Sequence, residues 1–190
     1  MHAHPLAYLV QIRQFYREAS KTTKRHGSAW YTAEHGEAAR LAKRADRPLR
    51  IVCACLAVLS PRCQWPRVKD ACGEMLAGNK PRGIFGRNVA KAAMILALPN
   101  GIPIDPKTAP KTWAFWQNLW RPSDAHPVTL DSWMLRAHGL PVSAGLGAYN
   151  TLADAYRAVA ADLGLIPNQL QATVWLHVRK KLAHSNGRHQ

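Results

Sequence analysis

The sequence lacks the features that mark membrane, secreted and metal-binding proteins. Its apolar runs are far shorter than the roughly 20 residues that cross a bilayer. The segment Met1–Pro5 has no basic region followed by an apolar stretch, so it does not resemble a secretory signal. The four cysteines lie between residues 53 and 72 and form no CxxC pair matched by a second pair or by histidines. Cys53 and Cys55 lie in the apolar run 51–59, so we expect them to be buried free thiols. We further expect no metal, no cofactor, no membrane contact and a soluble, cytoplasmic protein.

Acidic residues are also scarce. The chain has 26 Lys and Arg against 11 Asp and Glu, which gives a formal charge of +15 and a pI near 10.3. Such an excess is a poor fit to an enzyme of neutral metabolites. It favours a polyanionic partner, because each Lys or Arg placed on a phosphate releases condensed counterions. The alternative is a basic, highly soluble surface that has no partner.

Strand-like alternation of polar and apolar residues is missing as well. Prolines and glycines punctuate segments of helical spacing, which predicts about nine helices and no sheet. The first helix is predicted over 6–24, and a loop over 25–28 separates it from a helix that ends near Arg44. Residues 51–59 are apolar all round, which predicts a helix buried in the middle of the protein. A last helix is predicted over 167–181.

The predicted organisation is one compact helical unit over residues 1–190. A helical core over about 48–140 forms one lobe, and residues 1–47 and 141–181 pack as the second lobe. Residues 182–190 are expected to form a flexible tail.

The most informative segment is Val128–Arg136. An apolar approach leads to Asp131, a hydroxyl residue follows, and an arginine lies five positions later, which places the carboxylate at a helix start. Twenty residues earlier, Lys111 opens another helix after a proline-rich turn. A lysine and an aspartate at two helix N-termini can converge on one cleft, where backbone N–H groups also favour phosphate. The simpler interpretation of Asp131 is a plain helix N-cap.

An ordered set of segments around these residues resembles the helix-hairpin-helix DNA glycosylase superfamily, which contains endonuclease III and the adenine and oxoguanine glycosylases. Leu59-Ser-Pro-Arg-Cys-Gln-Trp-Pro-Arg-Val68 is similar to the stretch after the family's buried helix. Gly83-Ile-Phe-Gly-Arg-Asn-Val-Ala-Lys91 is similar to the helix that enters the hairpin. Lys111-Thr112 falls where the hairpin ends in Lys-Thr, and Asp131-Ser-Trp-Met-Leu-Arg136 falls where the family has Asp-Thr-His, two apolar positions and Arg. The order and spacing agree over roughly Arg50 to Gly139.

The chain departs from the family pattern at three places. The family's hairpin is usually Gly-x-Gly, whereas Thr108-Ala109-Pro110 precedes Lys111 here. Lys107-Thr108 is an alternative match for the family's Lys-Thr pair. Trp133 replaces the usual histidine, and the iron–sulfur cysteines that some members carry near the C-terminus are absent.

The resemblance implies a two-lobed all-α fold with an active-site cleft between the lobes, and a DNA glycosylase that flips out and excises a damaged or modified base. Asp131 would stabilise the positive charge that develops on the deoxyribose or orient the nucleophile. Lys111 would either attack the sugar as a neutral amine, which adds AP-lyase activity, or contact a phosphate.

Further DNA contacts follow from position in the same alignment. Arg62 matches the residue that plugs the hole left by the extruded base, Gln64 is the alternative, and Trp65 follows them. The expected phosphate contacts are Arg87, Lys91 and Lys107. Trp133 is a candidate wall of the base pocket. In the simpler interpretation, residues 62–65 form an ordinary polar turn, the three basic side chains are solvated charges, and Trp133 is a core residue.

The compact size and altered hairpin indicate a divergent branch associated with phages or mobile elements. A hypermodified pyrimidine of phage DNA is therefore a candidate substrate, acted on by a monomer. Two alternatives stay open: a non-catalytic basic DNA-binding module, and an enzyme that installs a substituent on a DNA base. Gln169, Gln171 and Trp175 on the last helix receive no role from the sequence.

Overall fold

The computed structural model describes residues 5–98 and 104–186. Within these ranges the backbone forms nine α-helices and no strand, which confirms the predicted all-α class. The helices are α1 (Pro5–Glu18), α2 (Lys21–Arg44), α3 (Leu49–Leu59), α4 (Trp65–Leu76), α5 (Gly86–Ala97), α6 (Pro110–Trp120), α7 (Ser132–Ala137), α8 (Leu146–Asp162) and α9 (Pro167–Asn186).

The break between the first two helices lies at Ser20, so the predicted loop over 25–28 is wrong. The hydroxyl of Ser20 accepts a hydrogen bond from the backbone N–H of Thr23 at 3.1 Å and caps the start of α2. The helix then runs without interruption through Gly27 to Arg44. At the other end of the chain, α9 continues to Asn186, into the segment that was expected to be a flexible tail. The rest of that segment lies outside the described residues.

The helices group into two compact units. We call residues 33–121 the central unit, and residues 1–32 together with 122–190 the terminal unit. These boundaries differ from the expected ones near 48 and 140, because the segment that carries Asp131 groups with the two ends of the chain.

The middle of the central unit is α3. Every residue from Ile51 to Leu59 is buried, as the apolar pattern predicted, and α4, α5 and α6 pack against this helix. Cys53, Cys55 and Cys72 are free and buried. Burial raises the pKa of the Cys53 thiol to about 12, so this thiol stays protonated at neutral pH.

The terminal unit is built from α1, the first half of α2 (residues 21–32), α7, α8 and α9. Within it, α1, α8 and α9 pack against one another and α7 packs against α9. The largest fully buried side chains of its core are Ile12, Leu130, Met134, Leu152, Tyr156 and Leu170. This core fixes the segment 128–134, which leads into α7.

A hydrogen-bonded network around His138 crosses this core. The amide nitrogen of Gln11 donates to the carbonyl of Ala137 at 2.9 Å, so the amide oxygen of Gln11 faces Nδ1 of His138 at 2.8 Å. Nδ1 therefore carries the proton, and Nε2 accepts from the hydroxyl of Tyr156 at 3.0 Å. Burial lowers the pKa of His138 to about 4.

This network predicts that the protein loses stability in mild acid. The pKa of His138 is near 6.5 in the unfolded chain and about 4 in the folded one, so the unfolded chain binds the extra proton. The contribution of His138 is fully present above pH 6.5 and falls by about 3 kcal/mol as the pH drops to about 4. Urea unfolding at several pH values in this window measures the loss. His138→Gln does not titrate and should give a flatter profile; equally steep profiles would contradict the assignment.

Candidate functional site

The turn that follows α3 connects three elements of the central unit. Nζ of Lys111, in the first turn of α6, donates to Oγ of Ser60 at 3.0 Å. That hydroxyl donates in turn to the carbonyl of Ala57 at 2.9 Å. Nδ2 of Asn88, in the first turn of α5, donates to the carbonyl of Pro61 at 3.3 Å. The N-terminal ends of α5 and α6 are thus tied to the same turn.

Arg62 lies in this turn with a backbone φ of 59° and an exposed side chain. A non-glycine residue in the left-handed region is uncommon and carries strain of about 1 kcal/mol or more, which the surrounding contacts must hold. Gln64 is exposed and precedes α4 without capping it through its side chain. Trp65 is half-buried, with its ring edge-on to Phe115 at a centroid distance of 5.4 Å, so it packs α4 against α6.

Positive charge is concentrated around this turn. Arg87 and Lys91 are exposed and lie four residues apart on α5, and Lys107 is exposed in the segment before α6. The first turns of α4, α5 and α6 contain no acidic residue, and no side chain caps them. No first-turn carboxylate therefore offsets the positive ends of these helix dipoles. The central unit holds 15 of the 26 Lys and Arg residues but only 6 of the 11 Asp and Glu residues.

Asp105 orders the segment before α6. The glycosylase family that the sequence resembles has glycines in the corresponding hairpin. Oδ1 of Asp105 accepts from the backbone N–H of Lys107 at 2.9 Å, and Oδ2 accepts from the hydroxyl of Thr108 at 3.2 Å. The carbonyl of Asp105 accepts from the N–H of Ala109 at 2.9 Å. These three bonds form a turn that leads into Lys111 without a Gly-x-Gly sequence.

In the terminal unit, Asp131 caps α7. Its Oδ1 accepts from the backbone N–H groups of Trp133 and Met134, both at 3.0 Å. Its Oδ2 accepts from the indole N–H of Trp175 at 2.8 Å. A carboxylate has about four acceptor sites, so one site remains on Oδ2 that no described residue fills. The side chain is half-buried, and the local N-cap interpretation accounts for two of its three bonds.

The tryptophan that contacts the carboxylate through its side chain is Trp175 and not Trp133. Trp133 is half-buried in the first turn of α7 and reaches Asp131 through its backbone N–H. Trp175 lies 44 residues after the aspartate, on α9. The sequence placed Trp175 on a helix, but its partner follows only from how α9 packs.

A close crossing of α2 and α9 sets the position of Trp175. A Cβ atom on Gly27 would lie 2.5 Å from Cα of Thr173 and 2.6 Å from its backbone nitrogen, so only glycine fits there. One turn further along α2, the ring of Trp30 lies 6.5 Å from the ring of Trp175. Glycine at position 27 therefore serves helix packing, which explains why it does not form a loop.

Gln169 and Gln171, which received no role from the sequence, form hydrogen bonds that stabilise the crossing of α2 and α9. Oε1 of Gln169 accepts from the backbone N–H of Ile166 at 3.1 Å at the start of α9, and its Nε2 donates to the carbonyl of Ser28 at 3.4 Å. The hydroxyl of Tyr31 donates to Oε1 of Gln171 at 3.0 Å, and both side chains are buried. The start of α9 is thus fixed to α2 by side chains as well as by close packing.

Lys111 belongs to the central unit and Asp131 to the terminal unit. Their convergence on one cleft therefore stays a prediction. In the described part of the chain, no group of three or more His, Cys, Asp and Glu residues is placed to hold a metal ion. None of the helices described has the length and apolar character that a membrane crossing requires.

A protein-family model matches residues 3–182, and its description is a family of unknown function, DUF7178. No curated protein and no solved structure matches the chain significantly.

Proposed function

Since the chain belongs to the DUF7178 family of unknown function, we propose its activity from its own residues: it is a DNA glycosylase of the helix-hairpin-helix type that removes a damaged or modified base. The observation that carries the proposal is the bonding of Asp131. Three N–H groups hold this carboxylate in one orientation, and one acceptor site on Oδ2 is filled by no residue of the described ranges and can serve a reactant.

The chemistry needs a fixed negative charge beside the sugar. When the N-glycosidic bond breaks, its electron pair leaves with the base and positive charge develops on the deoxyribose. A held carboxylate stabilises that charge without having to reorient during the reaction. The open site on Oδ2 can accept a hydrogen bond from a water molecule. As the oxygen of this water bonds to the sugar carbon, one of its protons passes to Oδ2 and from there to the departing base, which completes the hydrolysis.

The central unit supports the DNA-binding part of the proposal. Its excess of Lys and Arg suits a phosphate backbone. The turn after α3 joins two helix N-termini, and such ends bind anions through backbone N–H groups and the helix dipole. Arg62, exposed and held in a strained conformation, is the side chain of this turn that we assign to the space left by an extruded base.

We assign Lys111 to phosphate binding and not to Schiff-base chemistry. The Ser60 hydroxyl already donates to Ala57, so it can only accept from Lys111. Nζ also lies 5.1 Å from the centroid of the Phe115 ring, a contact that suits a cation placed on a phosphate.

Borohydride reduction during the reaction should therefore trap no covalent protein–DNA adduct. Lys111→Ala should weaken DNA binding and make the negative slope of log K against log salt shallower by about 0.9, the value for one phosphate contact. Trapping on denaturing gels and binding in a salt series measure these effects. An adduct that disappears in Lys111→Ala would reverse the assignment and make the enzyme bifunctional.

The proposed activity is tested with a panel of duplex oligonucleotides that carry damaged bases and hypermodified pyrimidines. Base release is scored as abasic sites that alkali converts into strand breaks, and binding is measured on the same duplexes. Release from at least one duplex supports the glycosylase. Salt-dependent binding without release from any duplex contradicts it.

The second candidate is a non-catalytic DNA-binding module. It is favoured by the capping bonds of Asp131, because a carboxylate that starts α7 and binds Trp175 has a structural role without any reaction. If this candidate is right, the protein binds DNA with an affinity that falls as the salt concentration rises, and it releases no base from any substrate.

A further inference from the structure

Arg179 is an exposed guanidinium that stacking holds in place. It lies on α9 four residues after Trp175, and its Cζ is 4.5 Å from the centroid of the Trp175 ring. Its side chain is exposed, and within the described ranges it forms no ion pair. Two neighbouring side chains on α9 contact Glu18 instead: Nε2 of His177 and Nζ of Lys181 lie 3.3 Å and 3.2 Å from its carboxylate.

The indole of Trp175 connects this cation to the candidate carboxylate. Its face carries the guanidinium of Arg179, and its N–H edge donates to Oδ2 of Asp131. A guanidinium that stacks on a ring through its own face keeps its N–H groups available in its plane. In that plane it can form the paired hydrogen bonds that suit a phosphate.

We propose that Arg179 binds the phosphodiester next to the nucleotide on which Asp131 acts; this inference rests on the proposed function. Every deoxyribose in DNA carries phosphates, and a phosphate beside an anionic carboxylate is repelled unless a cation lies close by. Arg179 supplies that cation, and it lies over the ring of Trp175, the side chain that also orients Asp131. Trp175 thus has two roles, one through its N–H group and one through its ring face.

The test compares the wild type with Arg179→Ala and with Lys180→Ala, which removes the same charge from the adjacent exposed position. Binding of a duplex is measured from 50 to 200 mM salt. Arg179→Ala should weaken binding by about tenfold and make the negative slope of log K against log salt shallower by about 0.9. Lys180→Ala should change the slope by less than half as much. Equal slopes in the two variants would overturn the inference while leaving the proposed function standing.

Variants of Trp175 test the stacking itself. Trp175→Phe keeps an aromatic face and should keep the wild-type salt slope, whereas Trp175→Ala should make the slope shallower as Arg179→Ala does. A wild-type slope in Trp175→Ala, in a protein whose circular dichroism is unchanged, would also overturn the inference. If the wild type itself does not bind DNA, both this inference and the proposed function are wrong.

Discussion

Gly27→Ala is expected to prevent folding or to lower the free energy of unfolding by about 3 kcal/mol or more, the upper end for overpacked sites. The added Cβ would lie 2.5 Å from Cα of Thr173 and 2.6 Å from its backbone nitrogen. Backbone atoms of α9 cannot rotate aside as a flexible side chain can, so the two helices would have to separate. Separation would also weaken the buried bond between Tyr31 and Gln171. Urea unfolding followed by circular dichroism measures the loss.

Gly36→Ala is the matched control, because it makes the same substitution in the same helix. A Cβ atom on Gly36 would meet nothing within 4 Å. Alanine removes backbone freedom from the unfolded chain, so this variant should be more stable than the wild type by about 0.5–1 kcal/mol. One substitution therefore has opposite effects at two positions of α2. A Gly27→Ala protein as stable as the wild type would show that α2 and α9 do not cross at this point.

The same glycine shows where reasoning from sequence fails. The helix class, the buried α3 and the start of α7 at Asp131 all follow from local patterns: apolar spacing, proline at helix starts and a capping carboxylate. Gly27 has the local signal of a loop, yet close packing against Thr173 makes glycine a requirement within a helix. Tertiary packing overrides the local preference there.

In the candidate site, too, the local features could be predicted from the sequence and the long-range contacts could not. That Asp131 begins a helix is a local property, and the sequence predicted it. The Trp175 contact joins residues 44 apart, and the contact of Lys111 with Ser60 joins residues 51 apart. Such contacts depend on how whole helices pack. They cannot be predicted from residue spacing or composition when only one sequence is known. The sequence could mark Trp175 only as an aromatic residue on the last predicted helix.

The other large effect is expected for Asp131→Asn, which should reduce base release by at least about 100-fold with little effect on folding. The amide oxygen of asparagine can still accept from the backbone N–H groups of Trp133 and Met134, so the cap of α7 survives. The amide NH₂ then faces the indole N–H of Trp175, and two donors cannot bond. The variant therefore loses the negative charge and one hydrogen bond.

Trp175→Phe separates these two losses, because it removes the hydrogen bond to Oδ2 and keeps the charge. Each variant should lose about 1 kcal/mol of stability from the missing bond. If charge carries the reaction, base release should fall far more in Asp131→Asn than in Trp175→Phe. DNA binding should not weaken in Asp131→Asn, since a charge that repels phosphate has been removed. Wild-type base release by Asp131→Asn would instead leave this carboxylate with its capping role alone, and the reactive group would have to be sought elsewhere.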